Sequence, residues 1–228
     1  MNTGVKKLQT IKDNSKVLIV TSLGNEFLLQ HIGFTIFSND YNNISVEEWD
    51  IDSIIENKVA KLKFIDKFDV VNEDLTEIKK DMEVLTKSFW TDGVVFKGFD
   101  DKIFPYAKNN NYDLILFINS YETEDPVFYT GLHLEGFGLY KRKVLGEITS
   151  KYYAMISSSI YDVNTRKKIA GSSRTRDAYI SKYNQSKGVE SISYDDITED
   201  KDVIISLIMN SLYTQFNTLE IMKKINYF

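Results

Sequence analysis

The sequence predicts a single α/β (α+β) domain: one mixed β-sheet with packed helices, a long β-hairpin in the C-terminal half and a closing C-terminal helix. Three observations support this fold class. Short apolar runs alternate with amphipathic segments in the first half, two long alternating strands then fold back on each other, and an amphipathic segment ends the chain. Elements in this order form a sheet covered by helices. No Pro- or Gly-rich linker interrupts them, so we predict a flexible leader over residues 1–15 and one domain over residues 16–228.

Strands are predicted in the first half wherever a short apolar run is bounded by polar residues. These runs are Lys16–Thr21 (KVLIVT), Glu26–Phe37 with a bend or bulge at Gly33, Asp69–Val71 and Tyr112–Asn119 (YDLILFIN). Apolar residues at helical spacing predict three helices. They cover Asp52–Phe64, Leu75–Phe89 and Phe99–Asn109, the last interrupted or restarted at Pro105. Asp52 or Ser53 is expected to cap the first helix.

The hairpin is the most informative part of the sequence. Ser150–Arg176 contains two strands that turn at Asp162–Lys167, where Asp and Asn side chains suit a tight backbone. Alternate residues of the first strand point to opposite faces, a period that a half-buried antiparallel strand requires. The two sets are Tyr152, Ala154, Ile156 and Ile160 on one face, and Tyr153, Ser157, Ser159 and Tyr161 on the other.

The rest of the second half is predicted to hold a strand, a loop and the closing helix. The strand covers Leu134–Arg142, the polar loop Asp177–Asp200 and the helix Asp202–Ile225. Thr198 or Asp200 is expected to cap this helix. Its apolar face comprises Ile204, Ile208, Leu212, Phe216 and Leu219, and the cations that suit its negative dipole end are Lys223 and Lys224.

Composition excludes several classes of protein. A net charge of -5 and a pI near 5.2 argue against a nucleic-acid binder, which carries a basic surplus. The absence of Cys excludes disulfides, thiolate metal sites and a cysteine nucleophile. No apolar run approaches the roughly 20 residues that span a bilayer. The polar start lacks the apolar core of a signal peptide, so we expect either a cytoplasmic protein or one whose leader has been removed.

Three segments resemble a group of bacterial envelope proteins that share an α/β fold and include the N-terminal domain of TolB, LpoB and CsgG. The segments are the opening strand KVLIVTSLGNEF, the helix-to-strand stretch Phe99–Asn119 and the turn that contains Asp162, Thr165 and Lys167. This turn is similar to the D-x-x-T-G-K turn of the group, with Arg166 where Gly is usual. The resemblance implies a periplasmic lipoprotein, anchored to the membrane only by a lipid, that acts through a protein partner or self-association.

No catalytic, metal-binding or cofactor-binding set is predicted. His31 and His133 match no zinc motif and have no carboxylate neighbour defined by spacing, so both are interpreted as structural or surface residues. An acidic cluster surrounds Trp49 but does not match an EF-hand, and we interpret it as a solvated loop with a buried Trp. Its members are Glu47, Glu48, Asp50 and Asp52.

One interaction patch is predicted in the β-rich half. Its basic residues either dock an acidic partner, anionic headgroups or a glycan, or protect an edge strand from aggregation. They are Lys141, Arg142, Lys143, Arg166, Lys167, Arg174 and Arg176. Nearby aromatic residues either pack in the core or build a protein interface; they are Tyr121, Phe128, Tyr129, Phe137, Tyr140, Tyr152 and Tyr153.

Two functions are compatible with these observations. The first is a non-enzymatic cell-envelope lipoprotein domain that acts through protein–protein contacts and uses no cofactor. The alternative is a cytoplasmic small-ligand-binding protein or hydrolase-like enzyme. It would use the loops after the strands at 16–21 and 112–119, which are Thr21–Asn25 and Asn119–Tyr121, because α/β folds bind ligands at such strand ends. In this alternative His31 or a carboxylate would point into a polar pocket.

Overall fold

The computed structural model describes residues 8, 11–32, 39–79, 99–143, 148–173, 179–180 and 189–222, and the backbone alone at 84–86, 95–96, 144, 147 and 181–182. The strands are β1 Ser15–Ser22, β2 Glu26–Ile32, β3 Asp40–Ser45, β4 Phe68–Val71, β5 Val84–Thr86, β6 Val95–Phe96, β7 Leu114–Ser120, β8 Glu122–Glu124, β9 His133–Val144, β10 Glu147–Asp162, β11 Lys168–Ser172 and β12 Tyr179–Lys182. The α-helices are α1 Ile51–Ala60, α2 Thr76–Lys79, α3 Phe104–Asn109 and α4 Lys201–Thr218.

Ten strands form one mixed sheet, which confirms the predicted fold class. The main path of the sheet runs β3-β2-β9-β10-β7-β1-β4, while β5 and β6 form a separate pair. β1 runs parallel to β4 and β7, and β2 runs parallel to β9. The long β10 is antiparallel to all its neighbours: its first half pairs with β9 and β12, and its second half pairs with β7 and β11.

The two faces of β10 carry the residues that the alternation predicted. Tyr152, Ala154, Ile156 and Ile160 lie in the main core, where the apolar face of α4 covers the sheet. α1 packs on this same face through Ile51, Ile55 and Val59. Among the described residues, no helix is both long and apolar enough to cross a membrane.

The opposite face of the sheet is covered by two separate groups of residues. The helical stretch 99–109 covers β1 and β7. It begins with a π-helical turn at Phe99–Ile103, which leads directly into α3, and Pro105 lies in the first turn of α3. Further along the sheet, the loop 125–132 covers Tyr140 and Tyr153 of β9 and β10. The predicted helical segment around Pro105 is therefore confirmed as one that restarts at the proline.

Two element predictions were wrong. The helix predicted over Leu75–Phe89 is only the single turn of α2, and its later part contains β5; residues 80–83 and 87–89 lie outside the described residues. The loop predicted over Asp177–Asp200 contains β12 and three short 3-10 turns. Apolar spacing misled the first prediction and polar composition misled the second, because strands this short are defined by hydrogen bonds to distant neighbours.

The predicted helix caps were confirmed only in part: Asp200 is the N-cap residue of α4, but the N-cap residue of α1 is neither Asp52 nor Ser53. The residue before α1 is Asp50, and the Asp52 carboxylate instead accepts a hydrogen bond from the Leu23 backbone N–H at 2.9 Å. Asp200 does precede α4, but its carboxylate accepts from the Tyr152 hydroxyl at 2.5 Å and forms no side-chain cap. Both carboxylates thus bind across the fold rather than to their own helix. Lys223 and Lys224 lie outside the described residues.

Candidate functional site

The structure divides the predicted basic patch between the two ends of β10. Arg142 lies opposite Thr149 near the start of β10, whereas Arg166 and Lys167 lie in the turn that follows Asp162. At about 3.3 Å per residue, the thirteen-residue step from Thr149 to Asp162 corresponds to about 43 Å along the strand. These residues therefore form two separate groups.

The remaining patch residues differ in exposure. Lys141 is only 2% exposed and cannot present its charge to a partner, while Lys143 is exposed. Arg174 and Arg176 lie outside the described residues.

The loop between β8 and β9 contacts Arg142, one of these basic residues. We call residues 125–132 the Tyr129 loop. Asp125 at its start is buried, and its carboxylate accepts five hydrogen bonds. The donors are the backbone N–H groups of Val127 (2.7 Å), Phe128 (3.0 Å) and Thr130 (3.1 Å) and the hydroxyls of Thr130 (2.7 Å) and Tyr140 (3.0 Å).

These donors keep Asp125 ionised. Burial raises the pKa of this carboxyl, but the hydrogen bonds from Thr130, Phe128 and Val127 outweigh it and hold the pKa below its usual range. Burial together with the neighbouring carboxylate raises the pKa of Tyr140. The loop is therefore organised around a buried charge that every surrounding donor stabilises.

Tyr129 projects from this rigid loop into solvent. Its side chain is 82% exposed, and its backbone has φ 56°, in the left-handed region that a residue other than Gly rarely adopts. The adjacent Phe128 instead packs on Tyr140, with ring centroids 5.0 Å apart. The fold thus holds one aromatic ring outside the core at a cost in backbone energy of roughly 1–3 kcal/mol.

Two cations flank the base of the Tyr129 loop. Arg142 Nη1 donates to the Phe128 carbonyl at 2.9 Å. Lys151 Nζ lies 5.0 Å from the Phe128 ring centroid and 4.8 Å from that of Tyr179, and 3.5 Å from the Val127 carbonyl. Both cations therefore contact the loop through carbonyl oxygens and aromatic faces.

A second cluster of polar residues lies at the carboxyl end of β1. The chain reaches β4 through α1 on one face of the sheet and β7 through the 99–109 segment on the other, so the connections diverge at β1. Such a switch point is where α/β sheets commonly bind ligands. Here Glu56 accepts hydrogen bonds from the Thr21 hydroxyl (2.7 Å) and the Lys79 ammonium (2.9 Å), and Asp52 Oδ2 lies 3.7 Å from the same Nζ.

On the other face, one polar row crosses three strands. Ser22 is the register partner of Asn119, which is the register partner of Ser157. The Ser157 hydroxyl donates to Asn119 Oδ1 at 2.8 Å. Next to this row, burial raises the pKa of Tyr121 to about 12, and its hydroxyl donates to the Ser173 carbonyl at 2.8 Å. The two loops predicted for the ligand-binding alternative, Thr21–Asn25 and Asn119–Tyr121, therefore do meet at one edge of the sheet.

Sequence reasoning missed the partners of Thr21 at this edge. Glu56 follows Asp52 by four residues on α1, a spacing that places both carboxylates on one helix face and could have drawn attention to them. Lys79 ends a helical turn that was predicted too long, so nothing local pointed to its contact with Glu56.

The other candidates are placed elsewhere. His31 lies on β2, with Nδ1 3.4 Å from Asp40 Oδ2, and His133 begins β9 opposite Glu124. Trp49 is buried beside exposed Glu47, Glu48 and Asp50, as predicted for that acidic cluster. Within the described part of the chain, no group of three or more His, Cys, Asp or Glu could hold a metal ion.

Three comparisons relate the chain to known proteins. Residues 33–132, less than half of the chain, match the sequence profile of glycosyl hydrolase family 10. No curated protein matches the chain. Among solved structures the chain is similar to the LpoB C-terminal domain from Salmonella enterica, with 14% sequence identity and a TM-score of 0.29, covering 75% of this chain and 89% of that one.

The profile match corrects one sequence prediction. The lack of a recognisable catalytic motif predicted that the chain is not an enzyme, and the likeness of residues 33–132 to a glycosyl hydrolase family contradicts this. That segment includes Asp52, Glu56 and Lys79. Over this segment the chain is similar to a family of sugar-cleaving enzymes.

Proposed function

We propose that this chain is a domain of the bacterial cell envelope that binds another protein through the Tyr129 loop. The single observation that carries the proposal is the exposed ring of Tyr129 on a left-handed backbone. Five hydrogen bonds to Asp125 hold the loop in this conformation. An exposed aromatic side chain on a loop held by hydrogen bonds needs little backbone ordering on binding and is a typical anchor of a protein interface.

Backbone strain supports the same proposal. A left-handed residue other than Gly is maintained only where the surrounding structure determines it, and such residues cluster at functional sites. The described residues include other exposed Tyr side chains, on β3 and α4, but those lie on regular elements. Among the described loops, only the Tyr129 loop combines an exposed aromatic side chain at its tip with a buried carboxylate whose hydrogen bonds are all satisfied.

Site-specific photocrosslinking in the native host tests this proposal. A photoreactive phenylalanine analogue replaces Tyr129 in one variant and Tyr41, which is 60% exposed on β3, in the matched control. We expect a discrete protein adduct at position 129 and none at position 41. Identical adduct patterns at the two positions, or no adduct at position 129 in folded protein, would contradict the proposal.

The envelope setting is a part of the proposal with its own test. The resemblance of the opening strand, the 99–119 segment and the hairpin turn to envelope proteins supports it, and a lipid anchor would supply the membrane attachment. Fractionation of the native host with an antibody to this domain should find it with the membranes. Recovery in the cytoplasmic fraction would contradict the proposal, and light scattering on the purified domain would identify self-association as the protein contact.

A second candidate function is cleavage of a glycosidic bond at the carboxyl end of β1. The observation that favours it is the glycosyl hydrolase family match, which spans Asp52 and Glu56. Glycosidases commonly use two carboxylates, one as an acid and one as a nucleophile or base. Here both carboxylates contact Lys79 Nζ, which would have to move to free them.

Activity measurements distinguish this second candidate from protein binding. The intact chain is assayed for release of reducing ends from a panel of polysaccharides and of nitrophenol from aryl glycosides. Glu56→Gln and Asp52→Asn should each abolish turnover, whereas Glu47→Gln, an exposed control, should not. Turnover that survives both substitutions, or no turnover by the folded wild type on any sugar tested, eliminates this candidate.

A further inference from the structure

We propose that the protein segment recognised by the Tyr129 loop is acidic, and that Arg142 and Lys151 bind its carboxylates. This inference rests on the proposed function and names the chemistry of its partner. Arg142 lies opposite Thr149, and Lys151 lies opposite Tyr140. The two cations are therefore diagonal neighbours on one face of the β9–β10 pair, at a separation of about 7–8 Å between backbones.

Two cations this close repel each other unless an anion lies near them. Among the described residues, neither forms an ion pair with a carboxylate within 4.0 Å, although acidic residues outnumber basic ones by 33 to 28 in the whole chain. The Asp125 carboxylate of the loop takes its five hydrogen bonds from neutral donors, so it brings one negative charge against the two positive charges of Arg142 and Lys151. Among the described residues, the base of the Tyr129 loop therefore carries more positive than negative charge beside the exposed aromatic ring.

Both cations are also held in position before any ligand binds. The Phe128 carbonyl accepts a hydrogen bond from Arg142, and the Lys151 ammonium lies within about 5 Å of the ring centroids of both Phe128 and Tyr179. Preorganised charges of this kind favour a partner of opposite charge and speed its association. Anionic lipid would also be attracted to them, but the rigid aromatic tip beside the cations favours a peptide that offers acidic and apolar side chains together.

Selection from a random peptide display library on the intact chain provides the probe. Peptides retained by the wild type and lost with Tyr129→Ala are synthesised and their affinities measured. We expect them to be rich in Asp and Glu, and their affinity to fall about tenfold or more with Arg142→Gln/Lys151→Gln. The control Arg166→Gln/Lys167→Gln removes the same charge at the far end of β10 and should leave the affinity unchanged.

Each other outcome overturns a defined part of the inference. Peptides that depend on Tyr129 but show neither acidic bias nor weakening at high salt overturn the acidic partner and leave the proposed function standing. If the selection yields no peptide whose binding depends on Tyr129, the proposed function itself is overturned. Vesicles of phosphatidylglycerol and phosphatidylcholine are tested in parallel. If the chain binds these vesicles through Arg142 and Lys151 and the library yields no bound peptide, the partner is a lipid surface and the inference of a protein partner is overturned.

Discussion

Arg166 adopts the left-handed conformation that suits Gly, the usual residue at this position in the similar D-x-x-T-G-K turn. Its φ is 55°, in the left-handed region, and the Asp162 carboxylate accepts a hydrogen bond from the Thr165 N–H at 2.6 Å. The guanidinium carbon lies 5.8 Å from the Phe104 ring centroid. The chain therefore forms this turn without Gly, at the backbone cost of a residue other than Gly in the left-handed region, and the Arg166 side chain also packs on a neighbouring ring.

We expect the side chain at position 166 to determine the stability of the hairpin. Arg166→Ile should lower the free energy of unfolding by about 1–2 kcal/mol, since a β-branched residue fits the left-handed region poorly, whereas Arg166→Gly should change it by less than about 0.5 kcal/mol. Urea denaturation measures both. Lys167→Ile is the control, and equal stabilities for the Ile and Gly variants at position 166 would contradict the conformational argument.

Asp125 should stabilise the fold in a pH-dependent way. Asp125→Asn is expected to cost about 2–3 kcal/mol at neutral pH, because a buried charged acceptor of several hydrogen bonds is replaced by a neutral amide. Since the folded-state pKa lies below its unfolded value, this stabilisation is complete above about pH 4 and is lost as pH falls through the folded pKa.

Denaturant titrations of the wild type and the variant at neutral and acidic pH measure this difference. Asp101→Asn, at an exposed carboxylate, is the control. If the wild type and Asp125→Asn differ in stability by the same amount at acidic pH as at neutral pH, the charge of Asp125 is not what organises the loop.

At the scale of elements, the parallel pairing of β2 with β9 depends on Gly138. Leu28 is the register partner of Gly138, and a Cβ added at Gly138 would lie 1.9 Å from the Leu28 carbonyl oxygen. The backbones of the two strands approach so closely that only a residue without a side chain fits between them.

We therefore expect Gly138→Ala to destabilise the protein by about 3 kcal/mol or more, because a backbone atom cannot yield as a side chain can. Gly171→Ala is the matched control: its closest contact would be with the Lys168 side chain, whose flexible end can move. Thermal unfolding compares the two variants. Similar losses of stability at both positions would argue against close backbone approach as the cause.

The elements also show where sequence patterns were sufficient. Alternation along β10 and the apolar spacing of α4 predicted both elements and their buried faces, because each pattern extends over many residues. β3 was not predicted: its residues, DYNNIS, are mostly polar, and only Ile44 is buried. Such an edge strand is held by backbone hydrogen bonds to β2, which leave no trace in side-chain composition.

At the scale of the whole molecule, buried tyrosines connect stability to alkaline pH. Burial raises the pKa of Tyr121 to about 12 and also raises that of Tyr140, Tyr152, Tyr153 and Tyr161. In the unfolded chain each of them ionises near pH 10. A raised folded-state pKa gives stability that is complete below about pH 10 and is lost as pH rises toward the folded value.

We expect the protein to unfold cooperatively above about pH 10, with much of its tyrosinate absorbance appearing in the same transition. Absorbance at the tyrosinate band and circular dichroism, followed together, measure this. Complete ionisation of the tyrosines in a still-folded protein would contradict the burial described for them.

Candidate sites depended more on tertiary structure than the elements did. Sequence reasoning identified Arg142, Phe128 and Tyr129 as members of broad sets, and the loops after β1 and β7 as neighbours. It could not separate Arg142 from Arg166, which differ mainly in their position along β10. Nor could it find Lys151 or Lys79, because their contacts join segments far apart in the chain.

The sequence by itself determined the sheet-forming hairpin, the closing helix and their buried faces, since side-chain periodicity and the hydrophobic effect act along the local chain. Only the tertiary structure decided that Asp125 organises a loop, that Tyr129 remains in solvent, and that Thr21, Glu56 and Lys79 meet at one strand end. These features arise from long-range hydrogen bonds and strand register. No local pattern of residues encodes them.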